Sequence, residues 1–116
     1  MRTLFILNEP PYGSERCYNA LRLAASLATR EGEQVWVYLM GDAGSGAKAG
    51  QDVPKGYYNV EAMLRLILSY GGTVGACGTC LEARGLAQSE LIDGVQKCTL
   101  QVLTDWVQEA DRVIPF

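Results

Sequence analysis

The stretch Thr3-Leu4-Phe5-Ile6-Leu7-Asn8 sets four large apolar residues in a row with no polar alternation. A strand with one wet face alternates, whereas an unbroken run suits a strand covered on both faces, as in a parallel sheet. Downstream, Pro10-Pro11-Tyr12-Gly13 reads as a rigid turn, and Ser14 can cap a helix. In that helix Ala20, Leu23, Ala24, Leu27 and Ala28 follow the i, i+3, i+4, i+7 rule and form the expected inward face. Gly32 ends it, and Val35-Trp36-Val37-Tyr38-Leu39-Met40 is a second strand. The result is a β-α-β unit with the right-handed crossover that parallel neighbours take.

Gly41 to Gly56 holds five glycines and one proline, with room for a helical turn at Ala43 to Ala49. Within it Gly44-Ser45-Gly46-Ala47-Lys48-Ala49 fits the phosphate-binding pattern G-x-G-x-x-A. It starts four residues beyond the strand with no clear helix after it, in a chain too short for the two-halved fold, so the nucleotide signal is weak and Lys48 reads as a solvated or interface residue. From Asn59, an N-cap residue, Val60, Met63, Leu64, Ile67 and Leu68 mark a second helix that closes at Gly71-Gly72. Gly72 to Ala76 is a third strand, and Thr79 to Ala83 gives one or two helical turns stopped by Gly85. Leu86 to Val95 reads as a short helical piece and an Asp-Gly turn. Cys98 opens a last helix over Thr99 to Ala110, with Leu100, Leu103, Val107 and Ala110 inward. Arg112 to Phe116 is a final strand whose Pro115 is tolerable only at a strand end or on a sheet edge.

This alternation predicts the α/β class: a three-layer α/β/α sandwich with a mostly parallel sheet, one domain over residues 1–116. Strand order stays open. In such sheets the reactive site lies beyond the carboxyl ends of the strands. Pro10 to Ser14, Gly41 to Ala47 and Cys77 to Cys80 all follow strand ends and can share one crevice.

Apolar residues are 48% and charged residues 20%, near the average for a globular domain. A net charge of −3 gives no electrostatic reason for a nucleic acid or an anionic membrane as partner. The N-terminal apolar run is too short for a signal-peptide core, and no run reaches transmembrane length. A cytoplasmic protein is therefore expected, in which cysteines stay reduced unless catalytic, redox-active or metal-bound. The chain has no histidine, which removes Ser-His-Asp and Cys-His catalysis and His-ligated metals.

Two of the four cysteines stand in Ala76-Cys77-Gly78-Thr79-Cys80-Leu81-Glu82-Ala83-Arg84-Gly85. Cys77 falls on a strand-to-helix corner, where free N–H groups and the positive helix end favour a thiolate. Cys80 shares its helical face and Arg84 follows at i+4, so two sulfurs and a cation are expected to converge. The plain alternative is packing, because cysteine is among the most buried residue types. That reading is preferred for Cys17 and Cys98, which have no cysteine neighbour in sequence. Structural zinc needs four ligands, and one Cys pair without histidine does not supply them. No metal and no cofactor are expected.

Several stretches together resemble the DsrE/DsrF-like family, in particular its small YchN-type branch. They are Pro11-Tyr12-Gly13-Ser14-Glu15, Asn19-Ala20-Leu21-Arg22-Leu23-Ala24, Leu39-Met40-Gly41-Asp42-Ala43 and Gly56-Tyr57-Tyr58-Asn59. Further on come Cys77-x-x-Cys80-x-x-x-Arg84-Gly85, Leu91-Ile92-Asp93-Gly94-Val95 and Thr99-Leu100. The resemblance runs from the first strand to the last residue. It implies a three-layer α/β sandwich, assembly as a homo-oligomer (trimer or hexamer) and, in the sulfur-relay branch, sulfur carried as a cysteine persulfide. The relay cysteine of that branch aligns with Cys77; Cys80 has no counterpart in many relay members, and Cys17 and Cys98 match no family motif.

The leading expectation is a sulfur-relay protein, a sulfurtransferase-like carrier working between sulfur donor and acceptor proteins. In it Cys77 carries the sulfur, Cys80 is the resolving or second thiol and Arg84 stabilises the anion. Glu15 and Asp42 are further crevice candidates. A C-x-x-C dithiol redox protein is the alternative, and a non-catalytic oligomeric binding module the third. Trp36, Tyr57, Tyr58 and Trp106 supply aromatic surface for assembly in each case.

Overall fold

The computed structural model describes residues 1–116. β1 (Arg2–Leu7) is the covered strand expected from its apolar run, with Leu4, Phe5 and Leu7 fully buried. Next come α1 (Arg16–Ala28), β2 (Gln34–Leu39) and a 3-10 segment over Gly41–Ala47. They are followed by α2 (Val60–Ser69), β3 (Thr73–Cys77), α3 (Gly78–Ala83) and a 3-10 turn at Gln88–Glu90. β4 (Gln96–Cys98), α4 (Leu100–Glu109) and β5 (Arg112–Pro115) complete the chain. The five strands form one sheet in the order β4-β3-β2-β1-β5, and every pairing is parallel.

One sheet face carries the larger core. Phe5, Leu7, Val37, Leu39, Val74 and Ala76 pack there against Ala20, Leu21 and Ala24 of α1 and Leu64 and Ile67 of α2. On the other face Leu4, Tyr38 and Cys98 meet Leu103 of α4. Helices thus cover both faces, which is the three-layer sandwich. The chain steps from β1 to β4 with helices on one side, then α4 crosses the other side to place β5 beyond β1. Reversing direction across the sheet reverses the covered face, because each crossover keeps the same hand. Pro115 ends β5, an edge strand, so its missing N–H costs the ladder nothing.

Several local signals hold. Asn59 accepts the Ala62 amide at α2, Thr99 accepts the Val102 amide at α4, and Asp93-Gly94 forms the expected turn. α3 ends in a Schellman motif: Leu86 donates to Leu81, Gly85 donates to Glu82, and Gly85 has φ of 68°.

Four expectations are corrected. Cys98 does not open a helix; it ends β4, whose polar Gln96-Lys97-Cys98 sequence carries no strand pattern and is held by pairing with β3. Ser14 is not the cap of α1: Glu15 holds that position without a side-chain bond, and Ser14 Oγ receives only the Arg16 amide at 3.4 Å. Leu23 faces outward and Leu21 inward, because α1 buries the stripe Cys17, Ala20, Leu21 and Ala24. On α4 only Leu103 is buried, while Leu100 and Val107 are 70% and 42% exposed. The G-x-G-x-x-A stretch is a packed corner: Gly44 and Gly46 are buried, and a Cβ on Gly46 would sit 3.3 Å from Pro11 and Val60.

Candidate functional site

Cys77 is the last residue of β3 and the cap residue of α3, so the chain turns at its Cα. The turn aims the Cys80 amide at Cys77 Sγ, 3.3 Å away, and sets Thr79 Oγ1 at 3.4 Å from the same sulfur. Burial by itself would raise the Cys77 pKa. The Cys80 and Thr79 side-chain hydrogen bonds, backed by the amides of both residues, outweigh it and hold the thiol below its ordinary value. α3 has only six residues. The thiolate is therefore stabilised by individual donors more than by a long helix dipole.

Cys80 is displaced in the opposite direction. Burial, the hydrogen bond given to Cys77 and the charge on that sulfur raise it, against the Gly41 amide, which donates to Cys80 Sγ at 3.2 Å, and the Arg84 charge. The two shifts run in opposite directions: within the pair Cys77 is the thiol favoured to ionise and Cys80 the one favoured to keep its proton. Arg84 does come to this corner, but its guanidinium bonds the Cys80 carbonyl at 3.0 Å and the Asp42 carboxylate, with no hydrogen bond to either sulfur. It ties α3 to the Gly41–Ala47 segment and adds only a through-space charge at the thiols.

The sulfurs open on a cavity of about 470 Å³ between the carboxyl ends of β2, β3 and β4 and the start of α4. Tyr38, Met40 and Leu100 give it apolar walls, and Lys97 and Glu82, paired at 2.8 Å, stand at its rim. Cys98 also lines it. Tyr38 is fully buried and donates to the Thr99 carbonyl at 3.2 Å. Its phenol is pushed up to about 12, first by burial and then by charge on Cys77, Cys98 and Cys80, so it stays neutral. Neither Tyr38 nor Cys98 was legible as a site residue. Tyr38 reads as one more apolar strand position, and Cys98 reaches the thiols through a strand that has no sequence signature.

The crevice is narrower than the sequence suggested. The Gly41–Ala47 segment reaches Cys80 through Gly41 and Arg84 through Asp42. Pro10 to Ser14 does not line the cavity; Pro11 lies against Gly46, and the Tyr12 hydroxyl binds Gln51 and accepts the Val60 amide. Glu15 starts α1 and is likewise absent from the lining. Cys17 is 2% exposed, donates to the Glu9 carbonyl at 3.1 Å, and is pushed up to about 11 by burial and then by the Glu9 charge. Its role is packing. No group of three His, Cys, Asp or Glu side chains is arranged to hold a metal ion. No helix is long and apolar enough to cross a membrane.

The model of the DsrE/DsrF-like family matches residues 1–116, the whole chain including the thiol corner. The chain belongs to the DsrE/DsrF-like family. Among its relatives, an uncharacterized protein of Methanopyrus kandleri is 41% identical over 111 residues, covering 96% of this chain and 90% of that one. Protein YchN of Escherichia coli strain K12 is 37% identical over 116 residues, covering 99% of this chain and 98% of that one. The crystal structure of the E. coli ychN protein superposes with a TM-score of 0.93, covering 99% of this chain and 98% of that chain. The parallel sheet and its helices are therefore those of the DsrE/DsrF-like fold.

Proposed function

We propose that the chain is a sulfur-relay protein that carries sulfane sulfur as a persulfide on Cys77. The observation that carries this reading is the division of the pair at the end of β3: a thiol held below its ordinary pKa by Cys80 and Thr79, facing a cavity. Membership of a family generally tied to sulfur relay supports it. The Cys77 thiolate attacks the outer sulfur of a donor persulfide, the donor thiolate leaves, and Cys77-S-SH remains. An acceptor thiolate then takes the outer sulfur and Cys77 thiolate leaves. A low-pKa thiol suits both steps, because it is ionised as nucleophile and stable as leaving group. Cys80 donates a hydrogen bond to the Cys77 sulfur, and Arg84 positions the Cys80 backbone.

Donor and acceptor are sulfur-carrying proteins that dock at the cavity mouth, in the cytoplasm. The chain works as a homo-oligomer, trimer or hexamer. Exposed Leu23, Leu66, Tyr57, Tyr70, Leu100 and Val107 give it apolar surface for assembly.

A dithiol redox role is the second reading, favoured by the hydrogen bond that Cys80 gives to Cys77. Intact mass spectrometry after exposure to a persulfide donor separates the two. Gain of one sulfur, lost in Cys77→Ser and kept in Cys80→Ser, is the expected result. Loss of two hydrogens without added sulfur would replace the relay with the redox reading, and an unchanged mass would leave a binding module.

A further inference from the structure

Cys98 does not fit the role of filler. It is a free thiol, 5% exposed, on the short strand that flanks β3. In the parallel register Cys77 and Cys98 are direct Cα partners. Partners across a ladder stand about 4.8 Å apart and project to the same face. That spacing falls inside the range, roughly 4.4–6.8 Å, over which two cysteines can form a sulfur–sulfur bond. Both side chains line the same cavity.

The neighbouring residues keep this thiol available. It donates one long bond, 3.5 Å, to the Gln96 carbonyl. Its sulfur lies over Gly75, where a Cβ would stand 2.8 Å away, so the missing side chain at Gly75 makes the space Cys98 occupies. Gly75 and Cys77 alternate with Ala76 on β3 and share a face, so a change of χ1 well swings Cys98 Sγ along β3 toward Cys77.

We infer that Cys98 is a second sulfur station: the sulfane sulfur loaded on Cys77 moves inward to Cys98, which holds it screened from solvent until an acceptor arrives. The inference rests on the relay reading of Cys77. In the step, the Cys98 sulfur attacks the outer sulfur of Cys77-S-SH. The Cys77–sulfur bond breaks, Cys98-S-SH forms, and the proton leaving Cys98 is taken up by the Cys77 thiolate. No external oxidant or reductant enters. Burial raises the Cys98 pKa, partly offset by the Ala76 amide, so the Cys98 thiol gives up its proton as it attacks, while the lowered Cys77 is the better leaving group. Cys80 remains the donor to Cys77 and is not required for the transfer.

The test is a peptide map of protein loaded with inorganic polysulfide as the sulfur donor. The loaded protein is quenched in acid, where exchange is slow for want of thiolate, and alkylated as it unfolds. Cleavage after Arg65, Arg84, Lys97 and Arg112 puts Cys77 and Cys80 on one peptide and Cys98 on another. The expected result is extra sulfur on the Cys98 peptide in wild type and in Cys80→Ser. In Cys77→Ser that label should be lost from the Cys98 peptide, and in Cys98→Ala it should be retained on the Cys77 peptide. Sulfur confined to Cys77 in wild type would overturn the inference and leave the relay reading standing. Sulfur on Cys98 in the Cys77→Ser protein would overturn the order of transfer. Failure of Cys77 itself to load would remove both. The wild-type map needs no variant, so misfolding of Cys98→Ala does not spoil the test.

Discussion

The two faces of the sheet are built to different standards. Under α1 and α2 lies a cluster of 20 buried residues, closed over the middle of the sheet. Under α4 only four buried residues join, Leu4, Tyr38, Cys98 and Leu103, with Trp36 and Trp106 half-buried beside them. The first face stabilises the fold. The second is thin, and where α4 stops covering it the thiol cavity opens. The same contrast appears in the cysteines. Cys17, in the thick face, is raised by burial; Cys77, at the margin of the thin face, is lowered by hydrogen-bond donors. Space and donors meet at Cys77 where packing is thinnest, because a filled core leaves little of either.

The largest effect should come from cutting into the thick face. Phe5→Ala is expected to cost about 4 kcal/mol and Leu64→Ala about 3 kcal/mol in urea unfolding, since both are fully buried. Leu103→Ala, on the thin face, should cost roughly 2 kcal/mol because its site can collapse toward solvent. Equal losses on the two faces would break the comparison.

Gly75→Ala tests the thin face by overfilling. The new methyl would meet Cys98 Sγ at 2.8 Å and the Trp106 ring at 3.0 Å. A loss of about 1–3 kcal/mol is expected, with a change in tryptophan fluorescence. Removing the α4 cap with Thr99→Ala should cost about 1 kcal/mol.

The cysteines should give opposite pH slopes. Cys17 is raised from 9.0 to about 11 in the fold, so the unfolded chain releases that proton first. Its contribution is complete below pH 9 and is lost as pH rises toward 11. Cys77 is lowered, so its contribution is present above the ordinary thiol pKa and is lost as pH falls through the folded value. Thermal melting from neutral to alkaline pH should therefore show a decline that Cys17→Ala flattens and Cys77→Ser steepens. Alkylation in the folded state should reach Cys77 first, with a pH midpoint below that of the unfolded protein. The smallest effect belongs to the exposed face of α4, where Leu100→Ser should change stability by less than about 0.5 kcal/mol.

Much of this arrangement was written locally. The apolar run of β1, the caps Asn59 and Thr99, and the Gly85 stop are short-range signals, and each appears in the structure. The C-x-x-C corner was legible for the same reason, since every donor to Cys77 Sγ comes from residues 79 and 80. What was not legible is set at long range. β4 is a strand only because β3 lies beside it, so Cys98 looked like a helix residue. Arg84 sits where its spacing puts it, but its partner Asp42 comes from another segment and draws the guanidinium from the sulfurs. Which residues α4 buries depends on how far it overlaps the sheet, and periodicity does not report that.

β4 holds three residues, fewer than any other strand, and forms an outer edge of the sheet. Short edge strands open with the lowest free energy in a fold, whereas central strands open only with the whole molecule. The cavity wall formed by β4 is therefore expected to open at lower free energy than the wall formed by β2 and β3. Amides of Gln96 to Cys98 should exchange with solvent deuterium well before those of Leu4 to Leu7. Early exchange there would mean that the enclosed thiol meets outside molecules through openings of β4 while the central sheet stays closed.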